Sequence, residues 1–286
     1  MGASAFAGER AFSGTARARI HAMNDRLENG RIVHIAGISP EMAYCAIRLH
    51  RRTLDGELVG IVLKKAAKTN VTLVTAVDGD LSELVCVKEF VRPAALRLLP
   101  AGIRHLPAIR SWRAGRELLA RGIASPEPLA LIFGPDRSSS CLVMRRAAGE
   151  DHLRLYVQRR FPRERNVAAR RAFAADCAEF LCNGWERGVF HQDMKATNLH
   201  VRESAPGEWE FELIDAAAVV FRKRLTVQEM ILNLVQLNSS TPRVITRADR
   251  LRFMERVVRR RPELAGREVT REIARLSLER GGIWLQ

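Results

Sequence analysis

The chain has 286 residues, 47% of them hydrophobic, which is enough for a buried core in one two-lobed domain or two modest ones. Its net charge of +15 is carried almost wholly by arginine, since only six of its 47 basic residues are lysine (positions 64, 65, 68, 88, 195 and 223), and it favours anionic partners without choosing among nucleotide, phosphorylated sugar, nucleic acid and acidic membrane face. The sequence has no apolar run of about 18 residues, which argues against a spanning helix, and its five cysteines form no CxxC pair, which points to a reducing compartment rather than a disulfide scaffold.

Residues 1–40 are rich in Ala, Gly, Ser and Arg with weak periodicity and read as a flexible or loosely docked arm. The opening MGASAFAGERAF has neither the pattern of a signal peptide nor the Ser or Thr at position 6 that myristoylation wants. A soluble cytoplasmic protein is expected, with contact to a membrane surface open. From residue 59 the pattern becomes VGIVLKK, NVTLVTAV and, after the turn DGD, LSELVCVKEF, a meander of three β-branched strands. IRSWRAGRELLARGI follows, with Ile109, Trp112, Leu119 and Ile123 spaced for one helical face before Gly122 and Pro126. PLALIF and SCLVMRR then read as a hairpin.

The character changes near residues 146–150. RRAFAADCAEFLCNGWERG repeats Phe173, Cys177, Phe180, Leu181 and Trp185 at helical intervals. Two strands, LHVRE and EFELID, come next, then the helix TVQEMILNLVQL opened by a Thr226–Glu229 capping box, then two helices starting near Thr246 and Glu268. The fold class expected is therefore α+β: an arm over 1–40, a small mainly β lobe over 41–147 and a mainly α lobe over 148–286.

Between helix and strands lies GVFHQDMKATNLHV, with His191, Asp193, Lys195 and Asn198 crowded together. Phosphoryl transfer from ATP asks for cations along the phosphates, oxygen ligands for Mg²⁺ and an acceptor that positions the attacking hydroxyl. Asp193 offers the acceptor for the hydroxyl proton, Lys195 a cation for the γ-phosphoryl, and Asn198 a carbonyl oxygen for the metal. Asp215, ending the strand FELID, supplies the missing carboxylate, because a hairpin returns its end to the loop. Lys88 shares a strand face with Leu84, Cys86 and Phe90, where its charge calls for an anion such as an ATP phosphate. His191 reads as structural, holding the loop through a backbone contact. The plainer alternative for the whole stretch is a polar turn.

The loop, standing here as His191-Gln192-Asp193-Met194-Lys195-Ala196-Thr197-Asn198, resembles H-x-D-x-K-x-x-N of the protein-kinase-like superfamily, with Gln192 in place of the usual Arg. With VCVKEF, SWRAGRELLARGIASPEPLAL, ELID, NLVQLNSS and RLRFMERV, the chain is similar over about residues 58–260 to the bacterial lipopolysaccharide kinases of heptose and 3-deoxy-manno-octulosonic acid. The resemblance implies a two-lobed kinase-like fold, ATP and Mg²⁺ as cofactors, Asp193 as catalytic base, Lys88 as nucleotide lysine, and Asn198 with Asp215 as metal ligands. It implies an anionic sugar or glycolipid as acceptor. Glu117, the sole acidic residue in 109–121, is the candidate partner of Lys88.

Two departures bear on activity. VLKKAAKTNVTLV has no glycine with which to cover phosphates, and Asp215-Ala216-Ala217 replaces Asp-Phe-Gly. The alternatives are a small-molecule or Ser/Thr protein kinase, or a kinase-fold binding module without turnover. No nucleic-acid partner is expected, since no RNP-like aromatic strand or zinc-finger spacing is present.

Overall fold

The computed structural model describes residues 30–92, 106–134, 139–149, 151–164 and 166–281. Its contacts divide into two compact units, one of residues 1–109 with 128–146 and the other of 110–127 with 147–286. Most of the expected arm, 1–29, lies outside the described residues.

Unit 1 is a six-stranded antiparallel sheet carrying one helix on a face. The strands are β1 (Arg31–Ile35), β2 (Gly60–Ala66), β3 (Thr69–Asp78), β4 (Leu81–Val91), β5 (Pro128–Phe133) and β6 (Ser139–Arg145), in the order β1-β5-β6-β4-β3-β2. The expected meander is β2–β4, and PLALIF with SCLVMRR forms the hairpin β5–β6.

The arm expectation needs correcting at its end, because residues 31–35 form an edge strand paired with β5. Helix α1 (Pro40–Leu54) was also absent from that reading. It starts where Ser39 caps the Met42 amide and Pro40 fills the first turn, a place where proline's missing N–H costs nothing. Its Ala43, Ala46 and Ile47 pack on Val74, Val85, Val87, Ala130 and Val143. These residues alternate with outward ones along each strand, so one face of the sheet is closed by α1.

Helix α2 (Leu106–Ala120) buries Ala108, Ser111, Ala114 and Leu118, while Ile109, Trp112 and Leu119 are only half-buried. The stripe that the larger apolar residues predicted is thus displaced, because small residues form the contact and large ones border it. Ala114 and Leu118 belong to the core of unit 2, which differs from the expectation that this helix serves the β lobe.

Unit 2 is mainly helical. It contains β7 (Asp151–His152), α3 (Leu153–Arg160), α4 (Val167–Glu186), β8 (Val189–His191), β9 (Leu199–Ala205), β10 (Glu208–Leu213), β11 (Val219–Phe221), α5 (Val227–Ser240), α6 (Arg247–Arg260) and α7 (Arg267–Glu279). The short β7 and α3 were not among the elements expected from the sequence.

Helix α4 is the axis of its core. Phe173, Cys177, Leu181 and Trp185 are all buried, and Phe173 meets Phe161 edge-on at 4.8 Å and Trp209 at 5.3 Å. Arg170, on the same helix, donates to buried Asp249 of α6 and lies over the Phe161 ring. The capping boxes Thr226–Glu229 and Thr246–Asp249 start α5 and α6.

Among the described residues, no helix is long and apolar enough to cross a membrane.

Candidate active site

The loop after α4 begins at a glycine for a steric reason. Gly188 has φ +73°, and a Cβ there would lie 2.0 Å from the Arg222 carbonyl oxygen. Only glycine takes this turn at such close approach. It sends the chain into β8, which pairs antiparallel with β11 so that His191 faces Val219.

His191 is fully buried. Its Nε2 faces the Ile214 carbonyl at 3.3 Å, and its Nδ1 lies 3.2 Å from the Asp193 amide, which donates to it. This assigns a neutral ring with its proton on Nε2. Burial pushes the imidazole below its usual value, against the raising effects of the Ile214 carbonyl and of Asp215 and Asp193. The ring joins residues 191–193 to the end of β10 and does so without charge.

Helix α5 holds the rest of the loop from below. Asn233, Gln236 and Ser240 fall at i, i+3 and i+7 on one face. Asn233 Nδ2 donates to the His191 carbonyl at 2.6 Å, and Trp185 Nε1 fixes the amide by donating to its Oδ1 at 3.2 Å. Gln236 accepts from the Met194 amide at 2.8 Å and donates to the Gln192 carbonyl at 2.7 Å. Ser240 Oγ accepts from the Ala196 amide at 2.8 Å.

Asp193 is thereby gripped on both sides through its backbone, leaving its side chain about 40% exposed. Lys195 Nζ lies 2.9 Å from its carboxylate.

Asn198 closes the loop. Its Nδ2 donates to the Asp193 carbonyl at 2.7 Å, which orients Oδ1 the other way, and its own carbonyl accepts from the Ile214 amide at 2.9 Å. That last bond, with the β9–β10 pairing of Leu199 with Leu213, carries the chain from the loop to Asp215.

Asp215 has φ 59° and ψ 51° and is the only non-glycine residue with positive φ among the described residues. Aspartate tolerates this region better than most residues, yet it remains a backbone state seldom kept without use.

Of the residues expected from sequence, Asp193, Lys195, Asn198 and Asp215 are tied together in unit 2 by bonded neighbours. Lys88 sits on β4 in unit 1, opposite Val71 and Leu142, with its ammonium 5.3 Å from the Phe90 ring centre. Glu117, on α2, accepts from Arg121 Nε at 2.7 Å. Arg121 in turn donates to the Arg187 carbonyl and stacks on Phe221, so Glu117 helps fasten α2 to the strands beside the loop.

Part of the arginine excess is matched by carboxylates. Arg159 meets Asp151, Arg160 meets Glu164, Arg259 meets Glu255, and Arg260 meets Glu179 and Glu186.

A cavity of about 880 Å³ also lies within unit 2, between α3, α4, α5, α6 and α7. Its walls include Leu153, Phe173, Leu237 and Met254, with Arg243 and Arg247 among the polar residues, and none of the four loop residues lines it.

The donor set fits a hard cation. One amide oxygen with a fixed direction and one carboxylate are the ligand types that Mg²⁺ takes from a protein.

No family model matches the chain, and no curated protein does so by sequence. Among solved structures, one described as WaaP in complex with acyl carrier protein is 19% identical over 77% of this chain and 88% of that chain, with a TM-score of 0.57. The likeness shows the fold: the chain is built on the WaaP kinase-like plan, with an antiparallel β-sheet in its N-terminal region and helices in its C-terminal region.

Proposed function

We propose that the chain is an ATP- and Mg²⁺-dependent phosphotransferase acting on a hydroxyl of a lipopolysaccharide inner-core sugar. The observation that carries this reading is the clamped loop, in which three buried or half-buried polar side chains of α5 fix the backbone around an exposed carboxylate. A surface turn needs no such support.

In this reading Asp193 accepts the proton of the attacking hydroxyl, and its exposure leaves room for an acceptor to approach. Lys195, already beside that carboxylate, turns its charge to the phosphoryl group as the hydroxyl takes its place on Asp193. Asn198 and Asp215 hold the Mg²⁺, which when bound offsets charge on the nucleotide phosphates. Lys88 is assigned those phosphates on the resemblance of VCVKEF.

The kinase-like fold and the loop motif support phosphoryl transfer, and the sugar acceptor rests on the family resemblance. Peripheral binding at the cytoplasmic face of the inner membrane follows from that acceptor.

The test is Mg²⁺-dependent ATP turnover in wild type and Asp193→Ala. The expected loss is about 10²–10⁴-fold, the usual contribution of a positioned general base. Equal background rates in both would instead support a binding module without turnover, a reading favoured by the glycine-free turn at Ala67–Lys68 between β2 and β3. Mass spectrometry of core glycolipid from a deletion strain tests the acceptor, and an unchanged phosphate content would remove it.

A second reading concerns a partner. The similar structure contains an acyl carrier protein, and the mainly apolar cavity of unit 2 is of the size that takes a flexible chain. Copurification of such a carrier with this chain, lost when the cavity is filled by Ala174→Phe, is the expected outcome. Copurification that the substitution leaves unchanged refutes the cavity's part in it.

A further inference from the structure

On the face of the unit 1 sheet that α1 covers, three side chains of different chemistry converge. Glu89 on β4 and Cys141 on β6 are directly opposed in the strand register, and His50 descends on them from α1. One ligand atom from each, an imidazole nitrogen, a carboxylate oxygen and Sγ, lies within 4.8 Å of the others.

His50 is fully buried, and its two nitrogens differ. Nδ1 is 2.8 Å from the buried Thr72 hydroxyl, whereas Nε2 has no hydrogen-bond partner. The nearest candidate, a Glu89 oxygen at 3.7 Å, is beyond hydrogen-bond range. A buried ring nitrogen left unmatched carries a desolvation cost, so such groups call for an explanation.

Glu89 is held through Oε2, the oxygen that also lies 3.7 Å from His50 Nε2. Asn70 Nδ2 donates to its carboxylate at 2.7 Å. Thr72 on the imidazole and Asn70 on the carboxylate are the kind of outer partners that aim ligands at a metal.

We propose that His50, Glu89 and Cys141 form a binding site for a borderline transition-metal ion of the Zn²⁺ class. The donor set selects the metal: nitrogen, oxygen and sulfur together suit Zn²⁺, while Mg²⁺ and Ca²⁺ prefer oxygen throughout. Charge balance agrees, because a dication with a carboxylate, a thiolate and a neutral imidazole sums to zero. Zero net charge is what a buried site tolerates.

Binding releases the Cys141 proton to solvent, and burial, with the Glu89 carboxylate beside it, holds that thiol above its usual value until a cation is present. Ligand atoms about 3.3–3.8 Å apart suit tetrahedral bonds of zinc length, so His50 and Glu89, 3.7 Å apart, are already spaced for it, and Cys141, within 4.8 Å of both, would draw in as the ion binds. With three protein ligands, the fourth position falls to water, entering past Glu89, which is 16% exposed. The ion would pin α1 to β4 and β6, one residue from Lys88 in the chain and on the other face of the same strand.

The experiment loads chelator-treated full-length protein with Co²⁺ and then Zn²⁺. Wild type is expected to show a thiolate-to-cobalt charge-transfer band in the near ultraviolet, to bind one ion per chain, and to melt at a higher temperature with Zn²⁺. Cys141→Ala should lose the band, and His50→Gln should weaken Zn²⁺ binding at least tenfold. Cys45→Ala, removing another buried thiol of α1, should leave both unchanged. A wild type with no band, or a band and thermal shift that survive both Cys141→Ala and His50→Gln, overturns the site. Circular dichroism of the variants separates lost binding from lost folding, and if Cys141→Ala does not fold, the Cys45→Ala and His50→Gln pair still decides.

Discussion

Replacing Gln236 by Leu tests the loop clamp with little change of volume. The residue is only 3% exposed and its side chain makes two bonds to the loop, one from the Met194 amide and one to the Gln192 carbonyl, besides a long one at 3.4 Å from Asn233 Nδ2 within α5. The Met194 bond is buried, so its amide loses its partner with no water in reach, at a cost of about 1–3 kcal/mol. The Gln192 carbonyl is partly open to solvent, so its loss is nearer about 0.5–1.5 kcal/mol. Together these give about 1.5–4.5 kcal/mol, a sizeable share of the about 5–15 kcal/mol that holds a domain together. Urea unfolding reads the loss as a lower midpoint at constant slope, and amide exchange reads it locally at Met194. Because Asp193 lies between the two released groups, Mg²⁺-dependent turnover should fall by more than the unfolded fraction explains. An unchanged midpoint together with unchanged Met194 exchange refutes the clamp, whatever the substrate proves to be.

Three further outcomes are expected. Asp215→Gly should keep or raise stability by up to about 1 kcal/mol, since it relieves the left-handed backbone, while abolishing Mg²⁺-dependent turnover; a stability loss with turnover retained contradicts both roles. Arg170→Ala should cost about 1.5–3 kcal/mol by urea unfolding, because Asp249, 3% exposed, loses its most buried charged partner and keeps only Arg252, at 3.1 Å, and the Thr246 cap. Burial raises the Asp249 carboxyl but bonds from Arg170 and Thr246 outweigh it, so its pKa is lowered on folding; this contribution to stability is present above about pH 3.9 and is lost as pH falls through the lower folded value. His191, lowered by burial, resists protonation in the fold, so stability should decline as pH drops below about 6.5, and His191→Gln should flatten that decline in unfolding measured from pH 7 to 5.

The elements legible in the sequence were those whose own period was strong. The meander β2–β4 shows because β-branched residues alternate between turn formers, and α4 because its aromatic and cysteine residues recur at helical spacing around one core. Helix α1 was missed although Ser39-Pro40-Glu41 is a start signal and Ala43, Ala46, Ile47 and His50 keep one face. Its apolar residues are small, and the Arg-rich surroundings lowered the apparent hydrophobicity of the window. Strand β1 has exposed Arg31 and His34 because it is an edge, so it lacks the apolar run by which a central strand announces itself. In α2 the failure was one of phase: Trp112 dominates any hydrophobic count, yet a ring that large borders the contact that Ala108, Ser111 and Ala114 make.

The chemistry-bearing residues of the loop were visible because they lie within eight positions of one another, but their support was not, and the reason is physical. Asn233, Gln236 and Ser240 interrupt an otherwise apolar helix, and in NLVQLNSS they look like its solvated side. Leu232 and Glu229 are more exposed than the buried Asn233 and Gln236, so the usual polarity of inside and outside is inverted along one stripe. Such an inversion is tolerated only where a facing backbone supplies a partner for every buried polar atom, and the segment from His191 to Ala196 does so with carbonyls and amides that no sequence pattern displays. The signal available was the pairing of two anomalies: a helix with polar residues at i, i+3 and i+7 on its apolar face, and a polar loop with too few hydrogen-bonding side chains to satisfy its own backbone. Each is unremarkable by itself. Taken together they specify that the helix packs under the loop, which is the arrangement that keeps Asp193 in place.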